Sequence, residues 1–404
     1  MKVITDKDKI KNLLERGVEN ILVKEELEKK LLSGKRLRVY LGIDPTGPTL
    51  HMGHAIPLKK LREFQDLGHE VILLMGDFTA QIGDPTDKLA LRKKLTHKEV
   101  LNNLKKYKKQ SEIFLKWSGS NKAQIKFNSK WLAKMKLENI LELASLMTVD
   151  QMIKRDMFDR RSKEGKPIFI HEFMYPLMQG YDSVAMKVDV EIGGNDQTFN
   201  MLTGRHLMSQ MINTNKSVVA TKLLEDNTGK KMGKTEGNMV SFEDGPVDMF
   251  GKVMSWNDSL ILPGFELCTD VSLSDIESTK NELEKGKNPK EIKLKLAFEI
   301  TKVYHGEKKS LLAQEDWISK FEKKEAPKEV EEVEGEGQLA KVLVIKGIVT
   351  SNSEARRLFD GGGVTNITEN KKVNSKEEVK QGHIYKIGKH KFIKITIKIR
   401  KPSA

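Results

Sequence analysis

The chain has 404 residues, which suggests two or three domains at roughly 100–200 residues each. It carries 71 Lys and Arg against 57 Asp and Glu, a formal net charge of +14, and one cysteine. A single cysteine excludes an internal disulfide and a cysteine-rich metal site. The 38% of hydrophobic residues excludes wholesale disorder. We expect no membrane span and no signal peptide, and therefore a cytoplasmic protein, because the sequence lacks the apolar runs that both require.

The first part of the chain predicts a strand–helix–strand unit. Two short helices are expected before Gly34, and residues 37–43 predict a strand that ends in the turn signal of residues 44–48. A helix is expected over about 53–67, and the apolar run 70–77 is typical of a buried parallel strand. This pattern predicts an α/β fold with a Rossmann-like, doubly wound parallel sheet, whose ligands bind at the carboxyl ends of the strands.

Composition divides the rest of the chain. Further strands are expected near residues 125–127 and 188–192, followed by a mostly helical stretch. Seven Glu and three Lys fall within fifteen residues after that stretch, which predicts a charged linker. The predicted segments are an α/β domain over 1–245, a helical domain over 246–321, the linker over 322–336 and a small α+β domain over 337–404.

The last segment carries most of the net charge. Residues 337–404 hold 15 Lys and Arg against five Asp and Glu, so +10 of the +14 lies in about a sixth of the chain. Two helices, a glycine break at 361–363 and three strands are expected within it. Such a concentration of positive charge favours a nucleic-acid partner, and a solvated lysine-rich surface is the alternative.

The motif His51-Met52-Gly53-His54 lies between the first predicted strand and its helix. Residues three apart share a face on the first turn of a helix, so the two histidines would point the same way. Gly53 leaves no side chain between them, which lets a flat ring or a phosphate approach the backbone at the positive end of the helix. Surface histidines and a metal site are the alternatives, and no nearby ligand set completes a metal site.

A second motif, Lys231-Met232-Gly233-Lys234-Thr235, follows about 180 residues later. Alone, two lysines flanking a glycine would predict only a solvated turn. Together, the two motifs resemble the paired signatures of class I aminoacyl-tRNA synthetases, which usually read HIGH and KMSKS. Their order and spacing also fit that class.

Five further segments narrow the resemblance. They are Tyr40-Leu41-Gly42-Ile43-Asp44-Pro45-Thr46, Ile82-Gly83-Asp84-Pro85, Asn128-Ser129-Lys130-Trp131, Tyr175-Pro176-Leu177-Met178-Gln179-Gly180-Tyr181-Asp182 and Gly193-Gly194-Asn195-Asp196-Gln197. These segments resemble the bacterial-type tyrosyl-tRNA synthetases, and the resemblance runs through nearly the whole chain. It implies that residues 1–245 are catalytic, that 246–321 bind tRNA, and that 337–404 form an RNA-binding fold similar to that of ribosomal protein S-four.

The resemblance implies a two-step ligase reaction. L-Tyrosine attacks the α-phosphate of ATP to give tyrosyl-adenylate and pyrophosphate, and the tyrosyl group then passes to the terminal ribose of tRNA(Tyr). No covalent enzyme intermediate is needed, so catalysis rests on positioning and charge stabilisation. The resemblance also implies a homodimer and a Mg²⁺ ion that travels with ATP rather than in a protein cage.

The site residues that the resemblance implies fall into three groups, with no resident metal ligand. The catalytic group is Thr46, His51, His54, Lys88, Arg92, Lys231, Lys234 and Thr235. The tyrosine-binding group is Tyr40 and Asp182 at the phenol, Asp84, Tyr175 and Gln179 at the ammonium, and Gln197. The ATP-binding group is Gly42, Asp44, Gly53, Gly194, Asp196, Met232 and Lys234.

Three residues depart from the family pattern. Leu41 stands where some members have a thiol, and Gly233 replaces the serine of KMSKS. Glu191 stands where some members have Gln, and it would add a negative charge near the pocket. None of the three removes a charge that the reaction requires.

Three other functions stay open. A tryptophanyl-tRNA synthetase shares both signatures, but the pair Tyr40 and Asp182 favours a phenol ligand. A small-molecule adenylyl- or cytidylyltransferase would not need a separate RNA-binding module. An RNA-binding regulator without catalysis would have no reason to retain the signature histidines and lysines.

Overall fold

The computed structural model describes residues 2–85, 95–229, 239–321, 330–388 and 391–397. They form two compact units, Met1–Glu307 and Lys308–Ala404. Within the described residues, no helix is both long and apolar enough to cross a membrane.

The first unit is built on a six-stranded sheet. Its strands are β1 (Val18–Leu22), β2 (Arg38–Ile43), β3 (Glu70–Met75), β4 (Gln124–Phe127), β5 (Val190–Gly194) and β6 (Ser217–Thr221). The spatial order is β1-β6-β5-β2-β3-β4; β1 runs antiparallel to β6, and every other pair is parallel. This arrangement confirms the predicted Rossmann-like, doubly wound parallel sheet.

Helices cover both faces of this sheet and fill the rest of the unit, as expected for a parallel sheet. They are α1 (Lys7–Glu15), α2 (Lys24–Leu32), α3 (Met52–Asp66), α4 (Thr79–Ile82), α5 (His97–Leu104), α6 (Tyr107–Ser111), α7 (Ser129–Leu132), α8 (Leu137–Ser145), α9 (Val149–Ile153), α10 (Asp156–Lys163), α11 (Ile170–Met186), α12 (Thr198–Ile212), α13 (Pro246–Met254), α14 (Ile261–Cys268), α15 (Leu273–Glu284) and α16 (Pro289–His305). Helix α17 (Glu307–Phe321) follows them.

The crossover helix α3 shows how the apolar pattern builds the core. Leu58, Leu61 and Phe64 recur at helical spacing and are fully buried in a cluster with Val39 and Val71 of the sheet. Full burial of each such side chain contributes about 1.5–3 kcal/mol. The apolar face of α3 therefore fixes the helix on the sheet, and its amino end lies at the carboxyl end of β2.

Strands β2 and β5 are neighbours, although 146 residues separate their ends at Ile43 and Val190 in the sequence. The chain leaves β2 through α3 toward β3, and it leaves β5 through α12 toward β6. The strand order therefore reverses between β2 and β5. Such a switch point opens a crevice at the carboxyl ends of the strands, where α/β proteins bind their ligands.

Two strands of this sheet differ from the sequence prediction. The region before Gly34 was expected to be two helices, but Ile21 and Leu22 lie in β1, between α1 and α2. Strand β1 pairs with β6, which the sequence did not predict at all. Because the two partners are about 200 residues apart and only five residues long each, no local pattern indicated their pairing.

The second unit contains most of helix α17 and a small α+β fold. Helices α18 (Leu339–Ile345) and α19 (Asn352–Asp360) accompany strands β7 (Glu331–Glu334), β8 (Val364–Asn366), β9 (Lys371–Lys372), β10 (Ile384–Ile387) and β11 (Lys391–Thr396). The sheet order is β7-β11-β10-β8-β9. Strand β7 lies within the segment expected to be a linker; it pairs with β11 because Val333 supplies an apolar side chain to the core of this unit.

Candidate active site

The two signature histidines lie at the amino end of α3. His51 is the N-cap residue, and its Nδ1 accepts a hydrogen bond of 3.1 Å from the backbone N–H of Gly53. His54 Nδ1 accepts the backbone N–H of His51 at 3.2 Å. The ring centroids are 4.0 Å apart. The backbone thus holds both rings side by side on one face, as the sequence predicted.

These bonds determine which nitrogen carries the proton. Because each Nδ1 accepts a backbone N–H, each neutral ring bears its hydrogen on Nε2. Burial and the neighbouring His51 ring hold the pKa of His54 well below its usual value, so His54 is neutral. The pair therefore offers N–H donors at a helix amino terminus, which suits phosphate and not a metal ion.

The chain that follows the second signature lies beside the histidines. The backbone N–H of Met52 donates to Val240 O at 3.0 Å, and that of Phe242 donates to Leu50 O at 3.0 Å. An antiparallel bridge joins His51 to Ser241. Five residues lie between Lys234 and Val240 in the sequence, so the chain shortly after the second signature contacts the first one.

Several predicted residues lie outside the described residues. They are Lys88, Arg92, Lys231, Met232, Lys234 and Thr235, together with Gly233.

The predicted phenol-binding residues lie in the buried part of the crevice. Tyr40 of β2 is fully buried, and its hydroxyl is 2.9 Å from Ser183 Oγ. Asp182 of α11 is buried as well, and its carboxylate accepts Trp131 Nε1–H at 2.7 Å and an Asn128 side-chain N–H at 3.3 Å. A tyrosine hydroxyl and a carboxylate are thus both present in the apolar layer between the sheet and α11.

Burial changes the charge state of Asp182. Its pKa is raised from 3.8 to about 8, chiefly by burial, while the hydrogen bonds from Trp131 and Asn128 and the charge of Lys216 oppose the shift. A buried carboxyl that titrates near neutral pH is typical of a ligand-binding site.

Asp44 joins two predicted groups at the end of β2. Its Oδ1 accepts the Thr79 hydroxyl at 2.7 Å, and its Oδ2 accepts the Tyr175 hydroxyl at 2.9 Å. Burial raises its pKa to about 7. A Cβ at position 76 would overlap Asp44 Oδ1, so Gly76 provides the space for this carboxylate.

A chain of hydrogen bonds connects this end of the site with the phenol end. Asn128 donates from the same nitrogen toward Thr79 Oγ1 at 3.0 Å and toward Asp182. Thr79 in turn donates to Asp44. The side chains of Thr79 and Asn128 therefore link the carboxylates of Asp44 and Asp182.

Asp84 lies at the center of a second group. Gln197 donates to its Oδ2 at 2.7 Å, and the buried Arg155 guanidinium contacts its Oδ1 at 3.2 Å. Asn200 donates to Gln179 Oε1 at 3.0 Å and to Gln197 Oε1 at 2.8 Å. The structure thus brings the predicted residues Asp84, Gln179 and Gln197 together on the α11 side of the crevice.

The extra negative charge expected from Glu191 is balanced. The side chain of Glu191 forms an ion pair with Lys216, and both are buried. Gln179 also donates to Glu191 at 3.2 Å. Glu191 therefore contributes a paired carboxylate behind the pocket instead of an unbalanced charge within it.

The remaining described predictions lie around the same crevice. Gly42 and Gly194 are near the carboxyl ends of β2 and β5, and Gly53 is in the first turn of α3. Thr46 and Asp196 are exposed on the loops that follow those two strands. A Cβ on Gly194 would approach Asp196 Oδ1 to 2.7 Å, so the glycine allows this loop to turn tightly.

Sequence reasoning missed several supporting residues. Trp131 and Asn128 belong to one of the five segments that resemble the family, but no role was predicted for them. Ser183, Lys216 and Arg155 were not singled out. Ser183 directly follows Asp182, and this adjacency was the one local signal for it. A lone lysine or arginine cannot be distinguished by sequence from the other 70 basic residues.

No resident metal site fits the described part of the chain. Among these residues, no group of three or more His, Cys, Asp or Glu is arranged to hold a metal ion.

The fold and the site together define the class of protein. Residues 32–322 match the family described as tRNA synthetases class I (W and Y), which is 72% of the chain. The chain therefore belongs to this family of ligases, which use ATP as a substrate. The predicted resemblance to this class is confirmed.

Similar proteins indicate which members of this family the chain resembles. The chain is 43% identical to tyrosine–tRNA ligase 2 of Pseudoalteromonas translucida, over 95% of this chain and 98% of that protein. It is 44% identical to the tyrosine–tRNA ligase of Carboxydothermus hydrogenoformans, over 96% of this chain and 98% of that protein. Among solved structures, a C-terminally truncated mitochondrial tyrosyl-tRNA synthetase of Coccidioides posadasii matches with a TM-score of 0.62 at 24% identity, over 77% of this chain and 92% of that one. The predicted resemblance to bacterial-type tyrosyl-tRNA synthetases is confirmed.

Proposed function

We propose that the chain is a tyrosine–tRNA ligase, which activates L-tyrosine with ATP and transfers it to the 3′ end of tRNA(Tyr). The observation that carries the proposal is the buried pair of Tyr40 and Asp182 in the switch-point crevice. A phenol is both donor and acceptor, so one hydroxyl can bond a tyrosine side chain and a carboxylate at once. An indole offers a donor only, so tryptophan would leave the Tyr40 hydroxyl without an acceptor.

Phenylalanine would be rejected by the same groups. Its ring fits where tyrosine fits, but its lack of a hydroxyl leaves Tyr40 and Asp182 buried without a ligand partner. Tyr40 and Asp182 keep their bonds to Ser183, Trp131 and Asn128, so the cost is that of the two lost substrate bonds. Such a bond contributes about 0.5–1.5 kcal/mol with a neutral partner and about 1.5–3 kcal/mol with a charged one. Two of them together favour tyrosine by a large factor, and no editing site is required.

The amino group of tyrosine would bind at the opposite end of the crevice. We assign it to the Tyr175 hydroxyl, Gln179 Oε1 and Asp84, because the oxygen of each can accept a hydrogen bond from an ammonium group. Gln179 Oε1 and Asp84 already accept from Asn200 and Gln197, while the Tyr175 hydroxyl donates to Asp44 and its oxygen can still accept. Gln197 holds Asp84 in place. Arg155 already contacts Asp84, so the ammonium shares this carboxylate with a guanidinium.

The first step requires no covalent catalyst. A carboxylate oxygen of tyrosine attacks the α-phosphorus of ATP, a P–O bond forms, and the bond to pyrophosphate breaks. Negative charge increases on the phosphate oxygens in the transition state, where the Nε2–H groups of His51 and His54 and the amino end of α3 stabilise it. Thr46, Lys88, Arg92, Lys231, Lys234 and Thr235 complete the set of phosphate ligands in this proposal.

The adenosine end of ATP is assigned to the strand ends. Gly42, Gly53 and Gly194 leave room for the nucleotide to approach the backbone. Asp44 and Asp196, with Met232, are assigned to the ribose and the adenylate. Mg²⁺ would enter bound to the ATP phosphates, since we find no protein cage for it among the described residues.

The second step transfers tyrosine to tRNA. A terminal ribose hydroxyl attacks the carbonyl carbon of the adenylate, an ester bond forms, and AMP leaves. We assign tRNA binding to the helical segment 246–321 and to the basic segment 337–404. In the latter, Arg356 and Arg357 of α19 are exposed, as are Lys341 and Lys346 of α18 and the turn after it. Exposed cations of this kind suit a phosphate backbone.

We further propose a cytoplasmic homodimer. Five large apolar side chains that are more than half exposed lie between residues 137 and 170, on α8, on α9 and at the start of α11. They are Leu137, Leu141, Val149, Phe169 and Ile170. A second copy would cover this apolar surface. Sedimentation of the purified protein should give the mass of two chains, and the mass of one chain would contradict this proposal.

Amino-acid-dependent exchange of pyrophosphate into ATP tests the first step. We expect exchange with tyrosine and none with tryptophan. Exchange with tryptophan alone would assign the chain to the other branch of its family. Absence of exchange with every amino acid would instead favour a regulator that has lost catalysis.

A further inference from the structure

A buried cation lies directly behind the phenol-binding residues. Lys216 precedes β6 and has no exposed side-chain surface. Its Nζ donates to Ser183 Oγ at 2.6 Å and to the Glu191 carboxylate. The same nitrogen lies 5.8 Å from the centroid of the Tyr40 ring. The sequence predicted no role for this lysine.

The fold reserves a space for this ammonium group. A Cβ on Gly204 of α12 would collide with Lys216 Nζ, and a Cβ on Gly180 of α11 would come within 3.1 Å of Gly204 Cα. The two glycines thus let α11 and α12 approach each other closely. Tyr40 and Glu191 are aligned across β2 and β5, so both side chains lie on the face of the sheet that meets Lys216 and Ser183.

The contacts of Lys216 fix the direction of the next hydrogen bond. Burial lowers the pKa of Lys216, while the adjoining Glu191 carboxylate favours the charged ammonium form. An ammonium group only donates, so in this ion pair Ser183 Oγ accepts from Lys216. The single hydroxyl hydrogen of Ser183 then has two acceptors in reach: Tyr40 at 2.9 Å and Glu191 at 3.4 Å. The shorter bond is the one to Tyr40, and Glu191 already receives Lys216. On this basis we assign the Ser183 hydrogen to the shorter contact, so that Ser183 donates to the Tyr40 oxygen.

The same donor-to-acceptor direction extends from Tyr40 to the substrate. Once the Tyr40 oxygen accepts from Ser183, the hydrogen of the Tyr40 hydroxyl is available to an acceptor in the pocket. The phenol oxygen of a bound tyrosine is such an acceptor, and the phenol hydrogen is then directed to the Asp182 carboxylate. Without Lys216, Ser183 and Tyr40 could exchange donor and acceptor roles, because either atom can donate in that pair.

We propose that Lys216 is a positioning residue for recognition of the substrate hydroxyl, acting through Ser183 to keep Tyr40 as the hydrogen-bond donor. The inference rests on the proposed function, because it requires a phenol substrate. A buried ion pair is weak evidence for stability, since desolvation offsets much of the attraction between the charges. Stability therefore does not explain why Lys216 and Glu191 are buried together, whereas orientation of the Ser183 and Tyr40 hydroxyls does.

The test compares tyrosine with phenylalanine in pyrophosphate exchange. The variant Lys216→Met with Glu191→Gln removes both charges at once, so no unpaired charge stays buried. We expect kcat/KM for tyrosine to fall roughly tenfold, the size of one hydrogen bond, while kcat/KM for phenylalanine and the KM for ATP stay within about twofold. A general loss of structure would lower all three.

A second variant and a matched control complete the test. Ser183→Ala makes a small change and should reduce the tyrosine-to-phenylalanine ratio by the same factor. Its combination with the double variant should reduce the ratio no further, because all three changes break one path. Lys60 is buried and pairs with the half-buried Glu63 at 2.6 Å, away from the site. Lys60→Met with Glu63→Gln should leave the ratio unchanged.

The outcomes separate this inference from the proposed function. If the unmodified protein gives no tyrosine-dependent exchange, the proposed function fails and the inference fails with it. The inference alone is wrong if the unmodified protein is active but the double variant Lys216→Met with Glu191→Gln keeps the same ratio of kcat/KM for tyrosine to kcat/KM for phenylalanine. It is also wrong if that variant loses tyrosine and phenylalanine activity equally. Additive losses in Ser183→Ala and the double variant would also overturn it, because Lys216 would then act by another route.

Discussion

Replacement of Asp182 by Asn is the sharpest single test of the phenol site. The carboxylate is buried at the carboxyl-terminal half of α11 and accepts Trp131 Nε1–H and an Asn128 N–H. Asn retains one acceptor oxygen, which can still receive the indole, so the fold should survive. It loses the charged acceptor that we assign to the phenol hydrogen.

The size of the effect follows from that lost bond. A hydrogen bond to a charged group contributes about 1.5–3 kcal/mol. Since about 1.4 kcal/mol corresponds to a factor of ten, kcat/KM for tyrosine should fall about 10- to 150-fold. Phenylalanine makes no such bond, so its own kcat/KM should change little.

The assay is tyrosine-dependent pyrophosphate exchange at pH 8.5. This pH lies above the pKa of about 8 for Asp182, so most of the unmodified protein carries the carboxylate. Asp77→Asn is the matched control, because Asp77 is an equally buried carboxylate that accepts the backbone N–H of Ser129 at 2.9 Å and its hydroxyl at 2.6 Å. The control should lose stability and keep its preference for tyrosine.

Two results would refute the reasoning. Exchange kinetics of Asp182→Asn equal to those of the unmodified protein would remove Asp182 from the phenol site. An equal loss of preference in Asp77→Asn would show that the effect comes from disturbed packing.

Three further predictions concern charge, catalysis and domain roles. Because burial raises the pKa of Asp182 to about 8, the folded protein retains a proton that the unfolded chain releases near pH 4. Its free energy of unfolding should therefore fall by up to about 1.4 kcal/mol per pH unit between those values, and urea titrations of Asp182→Asn should lack this part of the slope; an unchanged slope would contradict the shift. His51→Ala should reduce kcat far more than it raises the KM for tyrosine, and an equal loss of tyrosine affinity would mark His51 as a ground-state contact. Deletion of residues 322–404 should spare exchange and impair tRNA charging, and intact charging would exclude this segment as the tRNA anchor.

The sequence predicted the center of the sheet better than its edge. Strands β2 and β3 and helix α3 follow one another along the chain, so local apolar patterns and the turn at Asp44-Pro45 were sufficient. Strands β1 and β6 pair across about 200 residues, and β7 lies in a Glu-rich segment that resembles a tether. Only the tertiary partner decides whether such a segment is a strand.

The candidate site shows the same division. The residues at the ends of β2 and β5 were predicted because motif resemblance assigns each of them separately. The bonds from Asp44 through Thr79 and Asn128 to Asp182 cross three elements, and no spacing in the sequence reveals them. Lys216 was missed for the additional reason that it introduces a strand that was itself not predicted.

The most direct measurement is the complete reaction. The full-length protein, supplied with ATP, Mg²⁺ and a pool of bacterial tRNA, should attach radiolabelled tyrosine to tRNA(Tyr) and leave labelled tryptophan and phenylalanine free. Transfer of tryptophan in place of tyrosine, or no transfer of any amino acid, would contradict the proposal that Tyr40 and Asp182 select a phenol for tRNA charging.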